Sequence, residues 1–187
     1  MNTKNIHLFI LTLFLLNTML YASKKQDMLS SYKNNNFKIA CDIGYENFNS
    51  YKKDEEFVSL YALSCLKADY INRLATPIAT LNASKESRAN SAYFSVILMQ
   101  KKLLYHSMID GYDISSLKLP TTEYILSRVF DLYVKAIKNE KKDSYTFNDS
   151  KDSKLRYKLY LIKDKNIQKV VIEEFYNSKM TKKHIYW

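Results

Sequence analysis

The chain has 187 residues, of which 47% are hydrophobic and 26% are charged, and it contains only two Gly and two Pro. This composition excludes a disordered, collagen-like or disulfide-dense protein, and so few turn-forming residues argue against an all-β sandwich or barrel. The net charge of +10 comes mainly from lysine, and the scarcity of arginine argues against specific recognition of nucleic acid. We therefore predict a mainly α protein of one ordinary-sized domain.

Residues 1–22 have the pattern of a secretory signal peptide. Lys4 precedes an apolar run over 6–16, and the small residue Ala22 precedes Ser23 at a suitable cleavage point. The run is shorter than the roughly 20 residues of a spanning helix, so an uncleaved anchor is the less favoured alternative. We predict cleavage between Ala22 and Ser23 and export to the periplasm. The many residues with A+T-rich codons indicate a bacterium of low G+C content.

Three helices are predicted after the signal peptide, because apolar residues recur there every three or four positions. They cover about 25–33, 36–49 and 54–75. Asp54 is placed to cap the third helix, and Glu55 lies favourably near its positive end. The apolar faces of the second and third helices are predicted to carry Phe37, Ala40, Cys41, Gly44, Phe48, Phe57, Leu60, Tyr61, Cys65, Ala68 and Ile71.

Two further helices are predicted after a restart at Thr76-Pro77. The segment 85–109 is apolar on more than one side, which predicts a central helix with neighbours on several faces. Polar residues at 100–102 interrupt this segment and argue against a membrane span, and Gly111 is a suitable C-terminal cap. The last helix is predicted over about 121–138.

The composition of the chain changes after the expected α-helical domain, residues 23–138. Residues 139–154 are polar and predict a linker. Residues 155–187 contain alternating and β-branched segments separated by turns, which predict a three-stranded antiparallel meander. Because so small a sheet is not stable alone, we expect it to pack on the helices. The predicted fold class is therefore a mainly α helical hairpin bundle with a small C-terminal β-meander.

Residues 29–75 contain two patterns of aromatic and small residues. The patterns are Tyr32-x4-Phe37-x2-Ala40-Cys41-x2-Gly44 and Tyr61-Ala62-x2-Cys65-x2-Ala68. With these spacings the segment resembles the helix-hairpin repeats of the tetratricopeptide and Sel1-like class. The resemblance implies paired helices that approach closely and a role in protein–protein interaction on a helical scaffold.

Cys41 and Cys65 are the only cysteines, and both lie on the inward faces of neighbouring predicted helices. In the oxidising compartment expected of an exported protein, such a pair favours a structural disulfide. Two free cysteines in the core are the alternative, whereas a redox pair normally requires Cys-x-x-Cys.

One set of residues could carry catalysis. His106 could act as a base oriented by Asp110, one turn later, or by Asp113, although a His–Asp pair at this spacing is more often a surface pair. The sequence has no nucleophile-elbow motif, no Gly-rich phosphate loop and no second histidine at metal-ligand spacing. We therefore predict no catalytic residues, no metal and no cofactor. An envelope hydrolase that uses His106 is retained as an alternative.

The excess positive charge lies in residues 135–187, which hold 14 Lys and Arg against 7 Asp and Glu. An exported protein would meet anionic lipids or cell-wall polymers rather than nucleic acid, so we expect at most a weak contact with such a surface. The residues of this candidate binding surface are Lys154, Arg156, Lys158, Lys163, Lys165, Lys182 and Lys183.

The preferred function is an exported, periplasmic, non-enzymatic helical module that binds a protein or an envelope component. No membrane span is expected once the signal is removed. Besides the hydrolase, the remaining alternative is a secreted basic protein that binds anionic surfaces.

Overall fold

The computed structural model describes residues 24–137 and 142–187, and the predicted cleavage between Ala22 and Ser23 lies outside them. In the described part, six α-helices and one 3-10 helix precede a four-stranded antiparallel sheet, which confirms the predicted fold class. The helices are α1 (24–33), α2 (Phe37–Tyr51), α3 (Glu55–Lys67), the 3-10 helix (Ile71–Leu74), α4 (Ala75–Thr80), α5 (Lys85–Asp110) and α6 (Ile125–Ala136).

The strands follow one another in the order β1-β2-β3-β4. They are β1 (Ser144–Asn148), β2 (Leu155–Asp164), β3 (Ile167–Tyr176) and β4 (Lys179–Tyr186). The prediction of three strands and of a polar linker over 139–154 was wrong, because β1 forms within that segment. Tyr145 and Phe147 are buried and alternate with exposed polar residues, and the ring of Tyr145 packs edge-on against Tyr133 of α6, with ring centroids 5.0 Å apart.

The predicted helix 54–75 ends earlier than expected, at Lys67. Asp69 follows in the left-handed region, with φ of 62°, which is incompatible with a continuing α-helix. The 3-10 helix and α4 then continue the chain, with Pro77 in the first turn of α4. The predicted N-terminal cap of this helix is confirmed, since the side chain of Asp54 accepts a hydrogen bond of 3.0 Å from the N–H of Phe57.

The longest helix, α5, contacts α3, α4, α6, the 3-10 helix and β3. Its ends are fixed locally: Ser84 and Ser87 form a reciprocal capping box, and Gly111 ends the helix with a positive φ of 74°. None of the described helices combines the length and apolar composition needed to cross a membrane.

The two faces of the sheet differ. The inner face joins the hydrophobic core through Tyr157, Leu159, Val170, Ile172 and Tyr186. We call the opposite face of the sheet, which carries Arg156, Lys158, Tyr160, Glu173 and Phe175, the outer face. The described helices therefore pack on the inner face of the sheet.

Candidate functional site

A disulfide joins α2 to α3, as the sequence predicts. The sulfur atoms of Cys41 and Cys65 are bonded at 2.02 Å, and both residues are fully buried. An intrachain disulfide between buried helices is consistent with an oxidising compartment. The bond also fixes the part of α2 that supports the site described below.

Arg73, in the 3-10 helix, lies directly beside the disulfide. Its Nη1 donates to Oδ1 of Asp42 at 2.6 Å and lies 3.3 Å from Sγ of Cys41. Its guanidinium carbon is 4.6 Å from the ring centroid of Tyr45 and 4.9 Å from that of Tyr70. The arginine is thus held between two aromatic rings by cation–π contacts and one ion pair.

Trp187 extends this arrangement from the sheet. Its ring meets the ring of Tyr70 edge-on, with centroids 6.5 Å apart. The ammonium of Lys169 lies 5.3 Å from the centroid of the Trp187 ring. Tyr45 is 59% exposed and Trp187 is 48% exposed. We call Tyr45, Tyr70, Arg73 and Trp187 the aromatic–arginine cluster. It is formed by three separate parts of the chain.

The cluster borders a cavity of about 320 Å³ between the loop after α3, α5 and the end of β4. Its walls are formed by Asp69, Tyr70, Ile71, Asn72, Arg73, Lys101, Tyr186 and Trp187. This volume is within the range of cavities that hold small ligands or single side chains of a partner.

Lys101 lies in the wall of the cavity although it is only 4% exposed. Its Nζ donates to Oδ1 of Asn72 at 3.2 Å and to the main-chain oxygen of Trp187. Asn72 Nδ2 donates to the same oxygen at 2.8 Å. Burial, with a smaller contribution from the charge of Lys102, lowers the pKa of Lys101 to about 8. Lys101 and Asn72 together fix the position of Trp187.

His184 of β4 joins the sheet to the helices behind the cavity. Its Nδ1 lies 2.8 Å from Oδ2 of Asp69, and its Nε2 lies 2.7 Å from Oε1 of Glu174. Burial alone would lower the pKa of His184, but the hydrogen bonds with both carboxylates outweigh it and raise the pKa. Because each ring nitrogen faces a carboxylate, both must carry a proton to donate, so the imidazolium form fits this geometry.

Two tyrosines complete the surroundings of Asp69. The hydroxyl of Tyr124 donates to Oδ1 of Asp69 at 2.6 Å, and that of Tyr186 donates at 3.4 Å. Burial, together with negative charge nearby, raises the pKa of both hydroxyls well above the ordinary value, so both remain protonated. The carboxylate of Asp69 is therefore occupied by three donors and serves to hold the loop after α3 against the sheet.

The sequence-predicted catalytic candidates lie elsewhere, on the surface near the end of α5. His106 Nδ1 is 2.9 Å from Oδ2 of Asp110, and its ring stacks on Tyr112 with centroids 4.6 Å apart. Both side chains of the pair are more than half exposed. Oδ1 of Asp113 accepts a hydrogen bond of 2.9 Å from the N–H of Ser115 within its own turn.

The predicted basic surface is divided between the two ends of the sheet. Lys163 and Lys165 lie at the turn from β2 to β3. Lys154, Arg156 and Lys158 lie toward the other end of the sheet, at or near the start of β2. Lys182 and Lys183 lie in the middle of β4. The structure therefore brings together only part of the predicted set.

Sequence reasoning did not identify Asp69, Lys101, Glu174 and His184 as parts of one site. Only Lys101 carries a usable signal, because it falls on the same helical face as Phe94, Ile97 and Leu104, where a lysine is unusual. Among the described residues, no group of three or more His, Cys, Asp or Glu is arranged to hold a metal ion.

The fold is thus a disulfide-linked helical hairpin bundle closed on one side by a four-stranded antiparallel meander. Comparison of the chain with protein-family models, with curated proteins and with solved structures finds no match.

Proposed function

We propose that the protein is an exported, periplasmic, non-enzymatic binding module, and that its partner, a protein or another envelope component, binds at the aromatic–arginine cluster. The observation that carries this proposal is the exposure of two rings: Trp187, which lines the cavity, and Tyr45, which lies against Arg73 of the cavity wall. Tyrosine, tryptophan and arginine are the residues most enriched where binding energy is concentrated in protein interfaces.

Preorganisation of the cluster supports a binding role. Arg73 is oriented by Asp42 and by two rings, and Trp187 is held through Lys101 and Asn72. Side chains that are already fixed lose little conformational entropy when a partner binds. A rigid, partly exposed aromatic surface is therefore suited to binding without rearrangement.

The pairing of α2 with α3 supports the scaffold part of the proposal. Gly44 allows the backbone of α2 to approach the ring of Tyr61 closely, as the resemblance to tetratricopeptide and Sel1-like hairpins implies. The disulfide supports export to an oxidising compartment. Export to the periplasm itself rests on the signal-like pattern of residues 1–22.

The proposal is tested by photo-crosslinking in the intact envelope of the producing cell. A photoreactive amino acid replaces Tyr45 in one variant and Tyr112, which is 50% exposed on another surface, in a control variant. We expect a specific adduct from position 45 and none from position 112. The adduct should disappear with the additional substitution Trp187→Ala and should persist with His106→Ala.

Salt provides a second readout of the same experiment. Contacts made by aromatic rings are not screened by ions, whereas attraction to exposed lysines weakens beyond about 8 Å at physiological ionic strength. We therefore expect the adduct at position 45 to form equally at low and high salt. Equal adducts at both positions, or loss of the adduct with His106→Ala alone, would contradict the proposal.

A further inference from the structure

The end of the sheet farthest from the cavity combines positive charge with exposed apolar side chains. The strand register places Arg156 opposite Phe175 and Phe175 opposite Met180, and it places Tyr176 opposite Lys179 at the turn. The N–H of Asn177 in that turn donates to the main-chain oxygen of Lys154 at 3.0 Å. These residues surround the β3–β4 turn on both faces of the sheet. We call the following residues the hairpin patch: Lys154, Arg156, Lys158, Tyr176, Lys179 and Met180.

Acidic side chains near the hairpin patch are already engaged. Glu173 accepts a hydrogen bond of 2.7 Å from the hydroxyl of Tyr160 and pairs with Lys183, whose Nζ is 3.4 Å away. Asp149 accepts from the hydroxyl of Tyr157 at 2.7 Å, and Glu174 is bound to His184. Four of the six patch residues are basic and none is acidic, so the charge that the patch presents to solvent is positive.

The apolar residues of the patch project from a rigid turn. Tyr176 is 43% exposed and Met180 is 51% exposed. Asn177 and Ser178 between them have positive φ values of 48° and 66°, as in the tight two-residue turns that match the twist of a hairpin. The turn therefore holds an aromatic and a thioether side chain in water, beside lysines.

Cations lie over the outer-face rings next to the patch, which disfavours stacking of a sugar on those rings. Lys158 and Lys183 lie 5.3 Å and 5.7 Å from the ring centroid of Tyr160, and the guanidinium of Arg156 lies 5.3 Å from that of Phe175. A sugar ring needs an open aromatic face for stacking, which these contacts occupy. A lipid surface instead uses lysines at the headgroups and buries apolar tips at the boundary of the hydrocarbon.

We propose that the hairpin patch docks on the surface of an anionic phospholipid bilayer. The lysines and Arg156 contact headgroup phosphates, while Tyr176 and Met180 enter the region between the headgroups and the acyl chains. This contact is separate from partner binding at the aromatic–arginine cluster, since the two surfaces lie toward opposite ends of the sheet. A bound membrane would leave the cavity open to a partner.

The test is cosedimentation of the protein, purified from the envelope of the producing cell, with vesicles. One set contains phosphatidylglycerol and phosphatidylcholine, and the other contains phosphatidylcholine alone. We expect binding to the first set only. Each lysine near an anionic surface changes partitioning by about fivefold, so Lys154→Gln with Lys179→Gln should reduce binding by about 25-fold.

The matched control lies at the opposite turn of the sheet, where Lys163 and Lys165 flank Ile167, which is 50% exposed. Lys163→Gln with Lys165→Gln should leave binding to the anionic vesicles unchanged. Equal losses from both pairs would show a diffuse attraction and overturn the proposal. Loss of vesicle binding in the variant Trp187→Ala would likewise overturn the proposal, because it would place the membrane contact at the aromatic–arginine cluster.

A fluorescence readout detects insertion directly. In the variant Trp187→Phe with Met180→Trp, the single tryptophan reports on the hairpin tip. Its emission should shift to shorter wavelength with the anionic vesicles and should not shift with a soluble acidic polysaccharide. A shift with the polysaccharide and none with vesicles would replace the bilayer with a glycan as the partner.

Discussion

Gly44 of α2 lies directly against the ring of Tyr61 of α3. A Cβ atom at position 44 would be 2.4 Å from Cδ2 of Tyr61 and 2.6 Å from its Cβ, closer than side-chain atoms pack. The absence of a side chain at Gly44 is therefore what allows the two helices to approach. The disulfide crosses the same helix pair one turn earlier, at Cys41.

Gly44→Ala is expected to destabilise the protein by about 1–3 kcal/mol. Alanine favours a helix over glycine by about 1 kcal/mol, but the clash with the buried ring of Tyr61 is overpacking in a core and outweighs that gain. Chemical denaturation of the oxidised variant measures the change. Asn47→Ala, a substitution in the same helix, provides a control with no clash, and a stabilised Gly44→Ala variant would contradict the close approach.

Stability should fall as pH rises through the raised pKa of His184. The folded-state pKa lies above the unfolded value near 6.5, so the stabilisation is complete below that value and is lost at higher pH. The groups that face the ring are Asp69, Glu174, Tyr186 and Lys182. Urea midpoints measured across the neutral range should show the decline.

The variant His184→Gln should show no such decline between the same pH values. His184→Ala should cost about 3 kcal/mol, because it leaves the partly buried carboxylates of Asp69 and Glu174 without their positively charged partner. The alternative result, a pH dependence that persists without His184, would place the titrating group elsewhere.

Loss of the disulfide is expected to lower the free energy of unfolding by about 3.5 kcal/mol in the loop-entropy model, since Cys41 and Cys65 are 24 residues apart. The variant Cys41→Ser with Cys65→Ser tests this by denaturation. Thiol trapping of the wild-type protein under denaturing conditions should find no free thiol. Two alkylated cysteines in the protein taken from cells would show that the bond does not form there.

Fluorescence of Trp187, the single tryptophan, should follow the charge of Lys101. Because Lys101 Nζ donates to the main-chain oxygen of Trp187 and its pKa is about 8, emission should change with a midpoint near that pH. Lys101→Met should remove the transition, and Lys102→Met should retain it. A transition that is unaffected by Lys101→Met would contradict the contact.

Local signals in the sequence predicted much of the helical part. The cap at Asp54, the end of α5 at Gly111 and the inward position of both cysteines depend on neighbouring residues, and the structure has all three. Strand β1 was missed because it has only two buried residues and exists through pairing with β2, from Ser144 opposite Tyr160 to Asn148 opposite Arg156.

The candidate site depended on contacts that no local pattern contains. Asp69 follows a helix and resembles an ordinary turn residue, and its partner His184 lies 115 residues later. Nothing near either residue indicates the other. Lys101 is the exception, since helical periodicity alone places it on a buried face.

The order of these contacts along the chain has a consequence for synthesis. At about 5–20 residues per second, the 115 residues between Asp69 and His184 take about 6 to 23 seconds to produce, whereas Cys65 follows Cys41 within about 5 seconds. The two segments that form the disulfide-linked helix pair are therefore complete before β4 is made. His184, Tyr186 and Trp187, which contact the loop after α3 and α5, are made after all the described helices.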